Sequence, residues 1–351
     1  MKAVVFHDVG DIRVEDVPKP ELQNPEDAIV RITQTCICGS DLHILHGSLA
    51  VIPGSIIGHE FVGVVEEVGP AVVNVKPGDR VLGAAGIACG QCESCRSGLV
   101  IACKDLGVYG CGPLLGDLPG AQAEYIRVQY ANFTLEKIPD ELTDDEVVLV
   151  GDILSTAYMG ALGITPGGPS IQVGDTVAIF GAGPVGLCAV AVSRLFGPAR
   201  IIAIDMLDYR LDMAVRMGAD YVINVSKMDV ADAIAEITGG KGANFVIEAI
   251  GSTRAFDDAL GVVGYGGTIA CIGIYEDPVE LPIQMLLPKN ISIKMGLANV
   301  AHMKTLIELI RNRKLDLTPM ITHKLPLEEA VKAYEMFDKK EDGVIKVILI
   351  P

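Results

Sequence analysis

The chain has 351 residues, of which 50% are hydrophobic, and a formal net charge of −17 at pH 7. This length favours two domains over one, because single hydrophobic cores rarely grow beyond about 250–300 residues. The acidic balance argues against a nucleic-acid partner, and no run of about 18 apolar residues predicts a membrane helix. Nine cysteines without a signal-peptide pattern at the N-terminus predict a cytoplasmic protein with reduced thiols.

The first part of the chain, residues 1–154, is predicted to be a β-rich domain. Short runs of strand-forming residues alternate there with Gly and Pro, which is typical of irregular sheets whose loops carry function. The predicted strands cover residues 1–8, 27–33, 61–68, 80–82 and 125–128.

The pattern changes near residue 155, where strands begin to alternate with helices. Such alternation over residues 155–295 predicts an α/β fold with a doubly wound, six-stranded parallel sheet. The tail, residues 296–351, is predicted to contain two helices and a closing strand. Predicted strands cover 176–180, 200–205, 221–224, 245–249, 268–274, 291–294 and 344–350, and predicted helices cover 185–196, 210–217, 303–312 and 327–337.

Four cysteines lie close together in the first domain. The spacing Cys89-x2-Cys92-x2-Cys95-x7-Cys103 offers four thiolates, which close a tetrahedral zinc site and leave no open position for chemistry. A disulfide is the alternative, but short crowded loops strain disulfide geometry. The spacing therefore predicts a structural zinc site.

A glycine-rich turn follows the first predicted strand of the second domain and opens a helix. Its sequence is Gly181-Ala182-Gly183-Pro184-Val185-Gly186. In such a turn the first Gly permits the tight bend, the second lets a pyrophosphate approach the backbone, and the third lets helix and strand pack closely. The unpaired N–H groups at the helix N-terminus favour the phosphates. The turn therefore predicts a dinucleotide site in a Rossmann sheet.

An acidic residue, Asp205, ends the next predicted strand, 19 positions after Gly186. A carboxylate here accepts hydrogen bonds from ribose hydroxyls and repels a 2′-phosphate, so NAD is favoured over NADP. Met206 follows, which is not a residue that holds a phosphate. Arg210 could flank the adenosine, or it could be an exposed helix residue.

Two further segments near the N-terminus contain metal-ligand candidates, although a lone Cys or His is usually a packing residue. These segments are Cys38-Gly39-Ser40-Asp41-Leu42-His43 and residues 58–66, which start Gly58-His59-Glu60, and residues 75–81 follow them. Together with the four cysteines and the turn at 181–186, in this order, they make the chain resemble the zinc-containing medium-chain alcohol dehydrogenases along essentially its whole length.

The resemblance implies a GroES-like catalytic domain built from both chain ends, with the cofactor domain inserted between them. It implies that Cys38 and His59 are the first two ligands of a catalytic zinc, and that Asp152 is the third. A helix N-cap is the alternative role for Asp152. Glu60 resembles the carboxylate that can replace a ligand transiently, and Asp41 is placed to hydrogen-bond His59.

The resemblance also implies roles in proton transfer and cofactor binding. Ser40 resembles the hydroxyl that receives the proton of the alcohol, and His43 the base that passes it to solvent, with His46 as the rival base. Thr156 falls where a side chain meets the nicotinamide, and Lys346 where a basic residue meets the pyrophosphate.

The activity implied is hydride transfer between a small alcohol or carbonyl compound and NAD(H), with two zinc ions per chain. Ala85 replaces an aromatic residue that often narrows the pocket, which favours secondary alcohols. The alternative activities are those of a polyol dehydrogenase and of an aldehyde dismutase with tightly bound NAD. Two other classes, a zinc-ribbon protein and a non-catalytic NAD sensor, would each account for only some of the motifs. By analogy with microbial members of the family, we expect a homotetramer with neither nucleic-acid nor membrane partners.

Overall fold

The computed structural model describes residues 1–297 and 300–351, which form two compact units. Unit 1 comprises Met1–Ser155 and Asn299–Pro351, and unit 2 comprises Thr156–Ala298. The sequence-based boundaries, after residues 154 and 295, lie within a few positions of these. No helix in the described parts of the chain has the length and apolar character needed to cross a membrane.

The N-terminal part of unit 1 is rich in short strands. A hairpin of β1 and β2 precedes the main sheet, whose long central strand β3 pairs with both β4 and β8. The strands are β1 (Lys2–Asp8), β2 (Asp11–Asp16), β3 (Ala28–Ile37), β4 (Phe61–Val68), β5 (Arg80–Gly83), β6 (Gly86–Ile87), β7 (Gly107–Val108), β8 (Tyr125–Val128) and β9 (Leu135–Lys137). The helices are α1 (Gly39–Leu45), α2 (Glu93–Arg96), α3 (Ala131–Thr134), α4 (Asp144–Val147) and α5 (Ile153–Ala161), which continues into unit 2.

Unit 2 contains one six-stranded sheet in the order β12-β11-β10-β13-β14-β15, and every pair is parallel. All five residues of β10 are buried, as expected for a central parallel strand covered on both faces. The strands are β10 (Thr176–Phe180), β11 (Arg200–Asp205), β12 (Tyr221–Asn224), β13 (Ala243–Glu248), β14 (Val263–Cys271) and β15 (Ser292–Met295), and the helices are α6 (Pro184–Ser193), α7 (Asp208–Met217), α8 (Val230–Thr238), α9 (Thr253–Val262) and α10 (Ile283–Leu286). The α/β class and the doubly wound parallel sheet are confirmed.

The C-terminal segment returns to unit 1. It contains α11 (Met303–Arg311), β16 (Ile321–Pro326), α12 (Ala330–Lys339) and β17 (Lys346–Ile350). Strand β17 pairs antiparallel with β3, so both ends of the chain share one sheet. The helix predicted at 327–337 begins with a 3-10 turn, Leu327–Glu329, before α12.

Candidate active site

A cluster of metal-ligand side chains lies in unit 1. Ligand atoms of Cys38, His59, Glu60 and Asp152 all lie within 4.8 Å of one another. The Asp152 Oδ2 atom is 3.4 Å from the Cys38 Sγ atom and 3.3 Å from the His59 Nε2 atom. Ligands bound tetrahedrally at zinc distances are separated by about 3.3–3.8 Å, so the cluster fits a zinc ion.

Three different elements supply these ligands. Cys38 follows β3 and caps α1, His59 and Glu60 directly precede β4, and Asp152 lies between the 3-10 turn Val148–Gly151 and α5. The Asp152 carboxylate contacts Cys38 and His59, which supports its interpretation as a ligand over that as a helix N-cap.

The charges in this cluster also fit a cation. Burial raises the pKa of the Cys38 thiol, and the nearby Asp152 raises it further. Burial alone would lower the pKa of His59, but Cys111, Asp41 and Asp152 outweigh burial and raise it. The raised pKa values favour the protonated forms of Cys38 and His59. Zinc binds thiolate and neutral imidazole, so a bound zinc ion would displace a proton from each of these side chains.

Glu60 has a fixed partner that the sequence did not reveal. Its carboxylate accepts a hydrogen bond from the Lys346 ammonium, and both side chains are 0% exposed. Burial would lower the pKa of Lys346, but Glu60 and the thiols of Cys36 and Cys38 raise it above its usual value. The Lys346 ammonium is therefore buried against Glu60, whereas the resemblance led us to expect it at the pyrophosphate.

The predicted proton-transfer residues lie on α1, beside the cluster. The Ser40 Oγ atom is 3.2 Å from the His59 Nε2 atom, which places the hydroxyl on the side of the ring that faces Asp152. His43 is half-buried one turn later, whereas the rival His46 is exposed and its Nε2 atom lies 3.1 Å from Asp338. The two histidines therefore differ in exposure, and the His46 ring is paired with a carboxylate.

The four-cysteine lobe is a second cluster in unit 1. Its sulfur atoms all lie within 4.8 Å of one another, and the Cys89 and Cys103 sulfurs are 3.6 Å apart, close to the roughly 3.8 Å of a tetrahedral zinc site. This separation is far above the roughly 2.05 Å of a disulfide bond, so Cys89 and Cys103 do not form one in the structure. The backbone N–H of Cys95 lowers the pKa of Cys92 to about 6, and burial raises the pKa of Cys95 to about 12. A bound zinc ion would favour the thiolate form of all four cysteines, in spite of these opposite pKa shifts.

The glycine-rich turn lies in unit 2 between β10 and α6. Gly181 has φ +92°, and a Cβ at Gly186 would lie 1.7 Å from the Gly181 carbonyl oxygen, so both positions require glycine. Helix α6 begins at Pro184 with Gly183 as its N-cap and Val185 in its first turn. The exposed backbone and the helix N-terminus fit a dinucleotide pyrophosphate.

Two charged residues border this turn. The Asp205 carboxylate accepts hydrogen bonds from the backbone N–H groups of Ala182, Met206 and Leu207, at 2.7–3.0 Å. The guanidinium of Arg210 lies across Gly183, since a Cβ there would be 3.6 Å from the Arg210 Nη1 atom. Both residues therefore lie beside the turn that the sequence assigns to the dinucleotide, and Thr156 lies in α5.

The structure also shows partners of the metal cluster that no sequence motif indicated. Gln122 and Tyr334 are buried and connect to Asp41 through hydrogen bonds, and the Cys111 sulfur lies 3.9 Å from the His59 Nδ1 atom. Their spacing in the sequence carries no signal, because each meets the site through tertiary contacts alone.

A zinc-type ligand cluster in a β-rich unit, together with a dinucleotide turn in a parallel-sheet unit, defines a metal- and nicotinamide-dependent dehydrogenase. The sequence matches the family described as "Alcohol dehydrogenase GroES-like domain" over residues 24–140, and that described as "Zinc-binding dehydrogenase" over residues 184–312. The chain therefore belongs to the zinc-containing alcohol dehydrogenases.

Individual relatives span the full chain. An alcohol dehydrogenase from Cupriavidus necator is 39% identical over 369 residues, covering 100% of this chain and 99% of the relative. The structure of an alcohol dehydrogenase from Thermus sp. ATN1 is 41% identical with a TM-score of 0.93, covering 100% of this chain and 99% of that one. A zinc-binding dehydrogenase from Sinorhizobium meliloti 1021, solved bound to NADP, is 29% identical with a TM-score of 0.87 and covers 100% of this chain and 99% of its own.

Proposed function

We propose that this zinc-dependent oxidoreductase uses NAD to oxidise secondary alcohols, or NADH to reduce the corresponding ketones, and binds two zinc ions per chain. The observation that carries the proposal is the convergence of Cys38, His59 and Asp152. These three ligands, of types known from catalytic zinc sites, leave a fourth position open for a substrate oxygen. The separate four-cysteine lobe supports the second, structural zinc.

Each bound group supplies one part of the chemistry: zinc acts as a Lewis acid on the substrate oxygen, and the nicotinamide accepts or donates the hydride. The chain's own residues would accept the proton of the alcohol and transfer it to solvent. Ser40, on the ligand side of His59, would accept the proton of the alcohol, and His43 on the same helix would pass it to solvent. Ala85 leaves room for a branched substrate.

The cofactor preference follows from Asp205. Its carboxylate is fixed by three backbone N–H groups beside Gly183, so it cannot easily move away from a 2′-phosphate. The relative from Sinorhizobium meliloti binds NADP, which makes the choice of cofactor a property of individual members. We infer NAD for this chain because the Asp205 charge would repel the extra phosphate.

The assembly inferred is a homotetramer in the cytoplasm. Strand β15 is an edge of the unit 2 sheet, and edge strands with apolar surroundings favour pairing between copies. The neighbouring segment exposes several large apolar side chains, namely Ile283, Met285, Leu287 and Met295. The cytoplasmic location is inferred from the sequence, which has nine cysteines and no signal-peptide pattern at its N-terminus.

The activity test uses a panel of short and branched primary and secondary alcohols with NAD, followed by NADH absorbance. Secondary alcohols should give the highest kcat/KM.

Asp152→Asn should lower the zinc content from about two ions per chain towards one and abolish nearly all turnover, because the site loses a charged ligand. Asp316→Asn is the control, since this exposed carboxylate only caps a local turn at Thr318.

Three results would contradict the proposal. Full zinc content and activity in Asp152→Asn would remove this residue from the ligand set. Turnover of aldehyde without added cofactor would indicate the dismutase alternative. A preference for polyols over simple secondary alcohols would indicate the polyol dehydrogenase alternative.

A further inference from the structure

Two buried hydrogen bonds connect the C-terminal helix α12 to Asp41, which lies beside the metal cluster. The Tyr334 hydroxyl is 2.8 Å from the Gln122 Oε1 atom, and the Gln122 Nε2 atom is 3.1 Å from the Asp41 Oδ2 atom. The other carboxylate oxygen of Asp41, Oδ1, faces the His59 Nδ1 atom at 3.6 Å. The four side chains are between 0% and 3% exposed, so water does not compete for these contacts.

The directions of the two hydrogen bonds that Gln122 makes with Tyr334 and Asp41 follow from a third contact of its amide. The Gln122 Nε2 atom also donates to the backbone carbonyl of Cys36 at 3.0 Å, which fixes the amide nitrogen on that side. The Gln122 Oε1 atom can only accept, so the Tyr334 hydroxyl must donate to it. Gln122 therefore donates to Asp41 and cannot accept from it.

The same contacts fix the Asp41 carboxylate. Its Oδ2 atom accepts from two donors, the Gln122 amide and the Cys38 backbone N–H at 2.8 Å. Its Oδ1 atom has no hydrogen-bond partner among the described residues and faces the His59 Nδ1 atom across 3.6 Å, so this buried oxygen is available to the imidazole N–H. An acceptor at Nδ1 keeps the proton of the imidazole there and frees Nε2 as a metal ligand. The Nε2 atom is the one that faces Asp152, at 3.3 Å.

Packing adds to this constraint. Gly58, which directly precedes His59, has φ +89°, and a Cβ at this position would lie 2.3 Å from the Gln122 Cγ atom. The Gln122 side chain thus packs against the backbone that carries the ligand as well as against the residue that orients it.

We propose that Gln122 and Tyr334 are positioning residues for the catalytic metal: they fix Asp41, which holds His59 in the tautomer and orientation that bind zinc. This inference rests on the proposed catalytic zinc site and extends it to two residues that touch no ligand atom. It assigns a functional reason to a buried glutamine amide and a buried tyrosine hydroxyl.

The test measures zinc retention in the holoenzyme. Gln122→Met keeps the size of the side chain but removes all three hydrogen bonds of the amide, and Tyr334→Phe removes only the hydroxyl. Loss of outer contacts to a metal ligand typically weakens metal binding about 10–100-fold, so Gln122→Met should release the catalytic zinc to a chelator roughly 10-fold faster. Tyr334→Phe should have a smaller effect in the same direction, and it should add nothing in the Gln122→Met background, because Gln122 is the partner through which the hydroxyl acts.

The visible absorption spectrum of the cobalt-substituted catalytic site gives a second readout. It should change in Gln122→Met, because the orientation of His59 changes. Tyr109→Phe is the matched control: this tyrosine is also 1% exposed in unit 1 but packs on Phe61, with ring centroids 6.0 Å apart. It should leave both the zinc release rate and the cobalt spectrum unchanged.

Cys38→Ser separates the two levels of the interpretation. If this variant keeps two zinc ions, the proposed catalytic site itself is wrong. If it loses one zinc, but Gln122→Met matches the wild type in zinc release and cobalt spectrum, then the positioning role is wrong and the catalytic site stands. A drop in thermal stability of Gln122→Met without those two changes would also overturn the inference, because it would indicate packing alone.

Discussion

The buried ion pair of Glu60 and Lys346 makes a prediction about stability. In Lys346→Met the Glu60 carboxylate stays in the protein interior without its cationic partner. Both side chains are 0% exposed, so water cannot replace the lost contact. Burial already raises the pKa of Glu60 to about 7, in spite of Lys346, which shows how poorly this environment solvates a carboxylate.

The magnitude follows from this burial. Removal of one partner from a buried pair typically costs about 3–5 kcal/mol, whereas an exposed pair contributes about 0–1 kcal/mol. Unit 1 is of a size for which each kcal/mol shifts the unfolding midpoint by about 2–4 °C. We therefore expect the midpoint of Lys346→Met to fall by roughly 10 °C.

Thermal unfolding followed by circular dichroism measures this shift, with Lys324→Met as the control. Lys324 lies on the neighbouring strand β16, and its ammonium pairs with Asp145, but its side chain is 43% exposed. Its removal should shift the midpoint by only a few degrees at most. The double variant Glu60→Gln with Lys346→Met should recover most of the loss, because it leaves no unpaired buried charge.

Two results would refute this reasoning. If Lys346→Met is no less stable than Lys324→Met, the ammonium does not compensate a buried carboxylate. If Lys346→Met keeps its stability but binds NADH more weakly in a fluorescence titration, the sequence-based assignment to the pyrophosphate is the better one.

Three further predictions concern the structural zinc, the cofactor and the assembly. Cys95→Ser should impair folding or assembly and lower the zinc content by one ion, since structural zinc contributes on the order of 10 kcal/mol of apparent binding free energy. A stable variant with unchanged zinc content would contradict the assignment of the four cysteines to a structural zinc site. Asp205→Gly with Met206→Arg should shift the ratio of kcat/KM values from NAD towards NADP. A wild-type enzyme that already prefers NADP would contradict the inference that Asp205 repels the 2′-phosphate. Light scattering should give a tetramer mass that Met285→Glu with Leu287→Glu reduces, and a wild-type monomer at micromolar concentration would refute the assembly.

Local patterns were sufficient for much of the fold. The strands at 61–68, 125–128, 176–180, 200–205 and 221–224 have the bounds that the sequence predicted. In four of them a turn-forming residue marks the end: Gly69 and Gly181 follow two strands, and Asp205 and Asn224 end two others. Strand β14 was predicted to begin at residue 268 but begins at Val263. The intervening glycines weaken the local preference for a strand, and pairing with β13 overrides it.

The candidate site, too, was predictable from the sequence only in part. The ligand candidates lie in short motifs and could be named from their spacing, whereas their partners could not. Lys346 is separated from Glu60 by 286 residues, and Tyr334 from Gln122 by 212 residues. These contacts depend on how the C-terminal segment packs in unit 1, which no local pattern in the sequence encodes.

The register of β17 explains why the contact between Lys346 and Glu60 depends on the packing of the C-terminal segment. Val347 pairs with Ile37 in the antiparallel ladder with β3, so Lys346 comes beside the point where β3 leads into Cys38. A slip by one residue would turn Lys346 to the opposite face of the sheet and bring an apolar neighbour towards Glu60. The buried carboxylate would then be unpaired, at a cost of several kcal/mol. The ion pair therefore helps to select the one register of the closing strand in which the metal ligands of unit 1 have their full set of partners.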